Sequence, residues 1–164
     1  MGREAVKVGD KVPDFELNRQ DGGIFRLYDL LKKKNVVLYF YPKDRTPGCT
    51  KQACEFRDQY ETFKEQGAEV VGVSSDSVDS HKRFERIYHL PFILLSDKDG
   101  QLRSLFGVPR KLGILPGRVT YIIDKKGVVR YIFNSMTKPL EHVSTAISVL
   151  QELEKEEELK HQEV

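Results

Sequence analysis

The sequence predicts an α/β protein with a central mixed β-sheet flanked by helices. Three observations carry that reading. Apolar runs recur that are too continuous for strands wetted on one face, segments of helical periodicity separate them, and turn residues mark the boundaries.

The first run is Val36-Val37-Leu38-Tyr39-Phe40-Tyr41, ended by Pro42. The second is Glu69-Val70-Val71-Gly72-Val73-Ser74. The third is Val119-Thr120-Tyr121-Ile122-Ile123; Asp124-Lys125-Lys126-Gly127 then turns the chain into a hairpin mate over Val128–Phe133. Between the first two runs, Ala53, Phe56, Tyr60 and Phe63 recur at helical spacing until Gly67 stops the element. Ser77 is placed to cap a second helix, whose inner face would carry Phe84, Ile87 and Tyr88 before Pro91. A third helix begins after Pro139, with Val143, Ala146, Ile147 and Leu150 on one face.

A chain of 164 residues is expected to form one domain and to bury a core without disulfides or metals. Apolar residues at 39% and charged residues at 32%, with the apolar ones clustered, argue against disorder. Lys and Arg number 27 against 25 Asp and Glu, and a net charge of +2 gives no reason to expect nucleic acid or an anionic membrane as partner. No stretch approaches the ~18 apolar residues of a membrane span. The start, MGREAVKVGD, carries no apolar signal segment, and Val6 stands where a myristoylation pattern needs Ser or Thr. Residues 151–164 hold six acids and two bases and read as an acidic helical tail of the domain spanning 1–150.

The chemically loaded segment is Tyr41-Pro42-Lys43-Asp44-Arg45-Thr46-Pro47-Gly48-Cys49-Thr50-Lys51-Gln52-Ala53-Cys54, which leaves a buried strand and enters a helix. Thr46 fits the N-cap and Pro47 the first helical position, where a missing N–H costs nothing. Cys49 then lies in the first turn, where unpaired amides and the helix dipole favour a thiolate. It shares the apolar face with Ala53, Phe56, Tyr60 and Phe63. Cys54, five residues on, is rotated by about 140° toward a wetter face beside Arg57, Asp58 and Glu61. Two buried cysteines can simply be small hydrophobes, but a cysteine directly after Thr-Pro-Gly at a strand-to-helix junction argues for chemistry. No C-x-x-C is present, and His81, His89, His142 and His161 form no pair at zinc-ligand spacing, so neither a metal nor a cofactor is expected. Residue types alone leave a Cys–His hydrolase open; against it, each histidine has polar sequence neighbours and reads as a surface residue.

The stretch YPKDRTPGCTKQACEFRD resembles the active-site segment of the peroxiredoxins, and the short cysteine spacing is similar to the bacterioferritin-comigratory (peroxiredoxin Q) branch. VGDKVPDF, SDSVDSHKRF, LPFILLSD and LPGRVTYIID follow in the same order, so the resemblance covers roughly nine tenths of the chain. It implies a thioredoxin-like fold and a peroxidase acting on hydrogen peroxide and organic hydroperoxides. By this resemblance Cys49 matches the peroxidatic cysteine, Pro42 the proline that shields it, and Thr46 the threonine that helps to hold the peroxide. Arg118 matches the active-site arginine, and Cys54 the resolving cysteine. Gln52 stands where many relatives carry Glu. The implied reductant is thioredoxin, with glutaredoxin as the alternative. A monomer is expected rather than a dimer, in the cytoplasm or, after removal of a transit peptide, in a plastid. Two other readings use the same cysteines: a redox sensor or chaperone that oxidises once, and a degenerate binding domain, against which the intact set counts.

Five residues of helix place two Cα atoms ~8.6 Å apart, beyond the ~7 Å that a disulfide tolerates. A bridge between Cys49 and Cys54 therefore requires the helix start, which opens with Pro47-Gly48, to unwind.

Overall fold

In this computed structural model residues 5–111 and 115–162 are described. The first four residues of the N-terminal segment read above and the last two of the tail lie outside them. In chain order the elements are β1 (Glu16–Arg19), β2 (Ile24–Arg26), α1 (Leu27–Leu31), β3 (Asn35–Phe40), α2 (Pro47–Asp58) and α3 (Tyr60–Glu65). There follow β4 (Ala68–Ser74), α4 (Val78–Tyr88), β5 (Ile93–Ser96), α5 (Gln101–Phe106), β6 (Arg110–Lys111) and β7 (Leu115–Pro116). The chain closes with β8 (Val119–Ile123), β9 (Val129–Asn134) and α6 (Pro139–Gln162).

Seven strands form one sheet in the order β2-β1-β5-β4-β3-β8-β9. β3, β4 and β5 are mutually parallel, and the flanking pairs are antiparallel, which is the expected mixed sheet. Alternation along β3 explains the two-sided core. Val37, Tyr39 and Tyr41 join Cys49, Ala53, Phe56, Phe84, Val143, Ala146 and Leu150 on one face. Val36, Leu38 and Phe40 join Leu31, Leu102, Phe106 and Tyr121 on the other. The Tyr39 ring lies across Gly72 of the neighbouring strand, where a Cβ would sit 2.8 Å from its Cζ, so this close approach requires glycine.

Several expectations need correction. The helix expected to run unbroken to Gly67 is divided at Gln59, whose φ of −98° and ψ of 7° leave the helical region between α2 and α3. Phe63 still faces the core, because the break preserves the phase of the apolar stripe. Ile87 is exposed, so the inner face of α4 rests on Phe84 and the partly buried Tyr88 instead. His81 and His142 are fully buried, not surface residues, because each ring finds polar partners on distant segments. β1, β2, β5, α1 and α5 were not anticipated from periodicity. α6 runs continuously through residue 150, with Leu153 buried and the acids beyond it mostly exposed. Among the described residues no helix is long and apolar enough to cross a membrane.

Candidate active site

The C-terminal ends of the parallel strands β3 and β4 open onto a loop that carries Pro42 to Thr46 and delivers α2. Thr46 is the backbone N-cap, with φ −78° and ψ 155°, and Pro47 takes the first helical turn. The side chain of Thr46 does not cap; its hydroxyl donates to the Lys43 carbonyl at 2.8 Å, which folds the loop upon itself and leaves the oxygen free to accept. Cys49 follows in the first turn and is buried at 1% exposure, while Cys54 is half-buried. Both are free thiols on one intact helix.

Arg118 comes from the residue just before β8, which pairs with β3, so the sheet brings a distant basic side chain beside the start of α2. It is buried, with Nη1 donating to Gln52 Oε1 at 2.5 Å and Nε donating to the Met136 carbonyl at 3.2 Å. A Cβ on Gly48 would lie 3.0 Å from Arg118 Nη2, so the guanidinium rests directly on the residue before Cys49. Of the five residues singled out from the sequence, Thr46, Cys49 and Arg118 thus converge at this helix end. Pro42, partly buried, opens the loop, and Cys54 stays apart, further along α2.

A second buried arginine, missed in the sequence, braces the same region. Arg103 donates to the Gly117 carbonyl at 3.3 Å and the Tyr41 carbonyl at 3.4 Å, tying together the residues that precede Arg118 and Pro42. His142 was also missed. Its Nδ1 faces the Thr120 hydroxyl at 2.8 Å and its Nε2 donates to the Ser135 carbonyl at 2.7 Å. Burial, reinforced by the Arg118 charge, holds its pKa down at about 4 against the opposing pull of the Ser135 carbonyl, so this imidazole is neutral near pH 7. Three buried polar atoms around the helix have no partner: Tyr39 Oη, Thr50 Oγ1 and Gln52 Nε2. The Tyr39 phenol is pushed far above its usual range by burial and by the neighbouring Cys49.

The loop is anchored from the other side by Asp44. Its carboxylate accepts from Tyr41 Oη at 2.6 Å and Ser80 Oγ at 2.9 Å, and meets His81 Nδ1 at 2.7 Å. His81 Nε2 donates to the Leu95 carbonyl at 2.8 Å. Asp44, Asp76 and His81 cluster closely enough to suggest a metal site, but these hydrogen bonds already occupy both Asp44 oxygens and both His81 nitrogens. With both rings fully engaged, neither buried histidine has a nitrogen free to act as base toward Cys49, and His89 and His161 are exposed. The hydrolase alternative loses its second residue.

Comparison with known proteins identifies the family. The AhpC/TSA family profile matches residues 8–132. The chain is 52% identical over 149 residues to peroxiredoxin Q, chloroplastic, of Triticum aestivum, covering 90% of this chain and 68% of that one. It is 53% identical over the same length to peroxiredoxin Q, chloroplastic, of Populus jackii, covering 90% and 70%. Among solved structures, peroxidoxin BcpB from Mycobacterium tuberculosis superposes with a TM-score of 0.84 at 41% identity, covering 89% of this chain and 97% of that one. The α/β fold is therefore thioredoxin-like. By the span of the profile and the identity of these relatives, the chain belongs to the AhpC/TSA family, as a peroxiredoxin of the Q branch and hence a thiol-dependent peroxidase.

Proposed function

We propose that the protein reduces hydrogen peroxide and organic hydroperoxides through Cys49, with Cys54 as an intramolecular resolving cysteine. The observation that carries this is the guanidinium of Arg118, aimed by Gln52 onto the first turn of α2 where Cys49 is buried. In the first step the Cys49 thiolate attacks one peroxide oxygen and the O–O bond breaks. The sulfur becomes sulfenic acid, and the other oxygen leaves as water or alcohol once protonated. A free thiol of pKa ~8.5 is a few per cent ionised at pH 7, so ionisation alone gains at most ~30-fold. Further acceleration has to come from stabilising the breaking O–O bond. Arg118, Thr46 and the free amides at the start of α2 are the donors for that role, and Pro42 shields the sulfur.

In the second step the Cys54 sulfur displaces the sulfenic oxygen as water, giving an intramolecular disulfide. α2 is continuous through both cysteines, so their side chains point apart and the helix start must open. The segment that opens is bounded by Pro47-Gly48 on one side and by the break at Gln59 on the other, which supports a local event rather than loss of the fold. Thioredoxin then reduces the disulfide; glutaredoxin is the alternative donor. The chloroplastic names of the relatives favour a plastid over the cytoplasm. Because both cysteines lie on one helix, the cycle needs no second copy of the chain, which supports a monomer.

The test is Cys54→Ser. It should react once with peroxide, stop at sulfenic acid, fail to turn over with thioredoxin, and overoxidise more readily than the wild type. The wild type should consume peroxide through many turnovers with a thioredoxin system. Full thioredoxin-driven turnover by the variant would refute the resolving role of Cys54. A wild type that oxidises once and stalls would instead point to a sensor.

A further inference from the structure

The loop that presents Thr46 contains a conformational problem. Arg45 has a φ of 63°, in the left-handed region, without being glycine. Such a residue is strained and persists only where its surroundings over-determine it. Its neighbours are Asp44 on one side and Thr46 on the other. Thr46 is already tied inward, through its hydroxyl to Lys43 and through its carbonyl to the Thr50 amide at 2.8 Å. Those bonds fix the loop's own shape. They do not fix where the loop sits relative to the sheet.

Asp44 supplies that placement. Its backbone amide donates to Asp76 Oδ2 at 2.8 Å, and its carboxylate takes the three side-chain partners from Tyr41, Ser80 and His81. These come from the end of β3, the start of α4 and the loop after β4; His81 extends the chain of bonds to β5 through the Leu95 carbonyl. Both side chains of the Asp44–His81 pair are essentially inaccessible, at 1% and 0%.

The proton count at this pair is set by geometry. The Leu95 carbonyl can only accept, so Nε2 carries a proton. An unprotonated Nδ1 facing an unprotonated carboxylate oxygen would set two lone pairs against each other, so a contact of 2.7 Å requires a second proton between them. The pair is therefore joined by a short hydrogen bond through that proton, of the kind that fixes geometry in a dry interior.

We propose that Asp44 and His81 form the positioning unit of the peroxide site: their shared proton clamps the left-handed turn at Arg45, so that Thr46 and the first amides of α2 face the bound peroxide. This rests on the thiol-peroxidase reading above. Neither residue touches the peroxide; both act through Thr46 and the helix start. The pair also explains why two buried polar residues are tolerated here, since each satisfies the other.

The test measures two reactions of Cys49, each as a second-order rate by quenched-flow mass spectrometry: with hydrogen peroxide and with iodoacetamide. Iodoacetamide needs only an accessible thiolate, whereas peroxide also needs the donors around the O–O bond. The ratio of the two rates isolates positioning from general damage. In Asp44→Ala and His81→Ala the ratio should fall by at least ~30-fold, a loss smaller than the ~100- to 1000-fold seen when a transition-state donor is itself removed, because these residues act through Thr46. Asp44→Asn should recover most of that ratio, since the amide can accept from Tyr41 and donate to a neutral His81. Tyr41→Phe, which removes one donor and leaves the pair in place, should lower the ratio by about 3- to 10-fold and provides the readout if an alanine variant fails to fold. A ratio unchanged in folded Tyr41→Phe or Asp44→Ala, or both rates falling together, overturns the proposal. A wild-type ratio no higher than that of free cysteine fails the peroxidase reading itself, a separate outcome.

Discussion

Replacing Gly48 by alanine should set stability against turnover. Gly48 is the second residue of α2 and has no positive φ, so alanine fits its backbone and gains up to about 1 kcal/mol of helix propensity. For a chain of this size that corresponds to a thermal midpoint higher by about 2–4 °C. The new Cβ, however, would sit 3.0 Å from Arg118 Nη2. Non-bonded contacts prefer ~3.5–4.0 Å, so the guanidinium must retreat by about half an ångström. Its bonds from Nη1 to Gln52 at 2.5 Å and from Nε to the Met136 carbonyl at 3.2 Å are kept, so the shift falls on Nη2, the nitrogen that lies on Gly48 and is offered to the peroxide. A charge-assisted hydrogen bond contributes ~1.5–3 kcal/mol, and losing most of one lowers a rate by roughly 10- to 100-fold. Gly48→Ala should therefore melt later and react with peroxide at least ~10-fold more slowly. Disulfide formation should also slow by about 5-fold for each kcal/mol added to the helix end, because opening that end precedes the bond. The checks are a thermal melt of the reduced protein and quenched-flow kinetics of both steps. A variant of raised midpoint whose peroxide rate stays within about twofold of the wild type would refute the assigned role of the Arg118 position.

Two further outcomes follow from the same geometry. Arg118→Ala should lose well over the ~30-fold that ionisation can account for, and raising the pH to ~9 should not restore the rate; full recovery there would show that Arg118 acts only on thiol acidity. His142, held at about 4 against 6.5 in the unfolded chain, takes up its proton more readily once unfolded. Its contribution is fully present above pH ~6.5 and is lost as pH falls toward ~4, worth on the order of 3 kcal/mol. His142→Gln should flatten that part of the acid melting profile, and an unchanged profile would place the acid sensitivity elsewhere.

The legible parts of the sequence were those whose burial is written in a local run of residues. β3, β4 and β8 announce themselves as unbroken apolar runs because both faces of the sheet are covered there, whereas β9, largely half-exposed, is signalled by the turn at Asp124–Gly127. β1 does not, since its alternating, half-exposed residues are held by backbone pairing with β5 and β2 rather than by side-chain burial. The division at Gln59 was invisible because it leaves Phe56 and Phe63 in phase. At the site, Thr46, Pro47 and Cys49 sit within one short segment and their order states the helix start directly. What Arg118 touches depends on strand order, which no local pattern reports. His81 and His142 were misread because a helix's buried face and its wet flank alternate in sequence. Ser80 and Lys82 beside His81 say nothing of Asp44, 37 residues away. Asp44 itself lies inside the motif, and a carboxylate two residues before the N-cap of a cysteine-bearing helix was the available signal.

Gln52 lies between the two cysteines on α2, and it is the side chain that aims Arg118. Any movement that carries Cys49 toward Cys54 therefore also withdraws the acceptor holding the arginine in place. Readiness for the next peroxide and completion of the last are mutually exclusive states of one dozen-residue segment. In the proposed cycle the record of a single encounter is stored as backbone order lost, and only the reductant erases it.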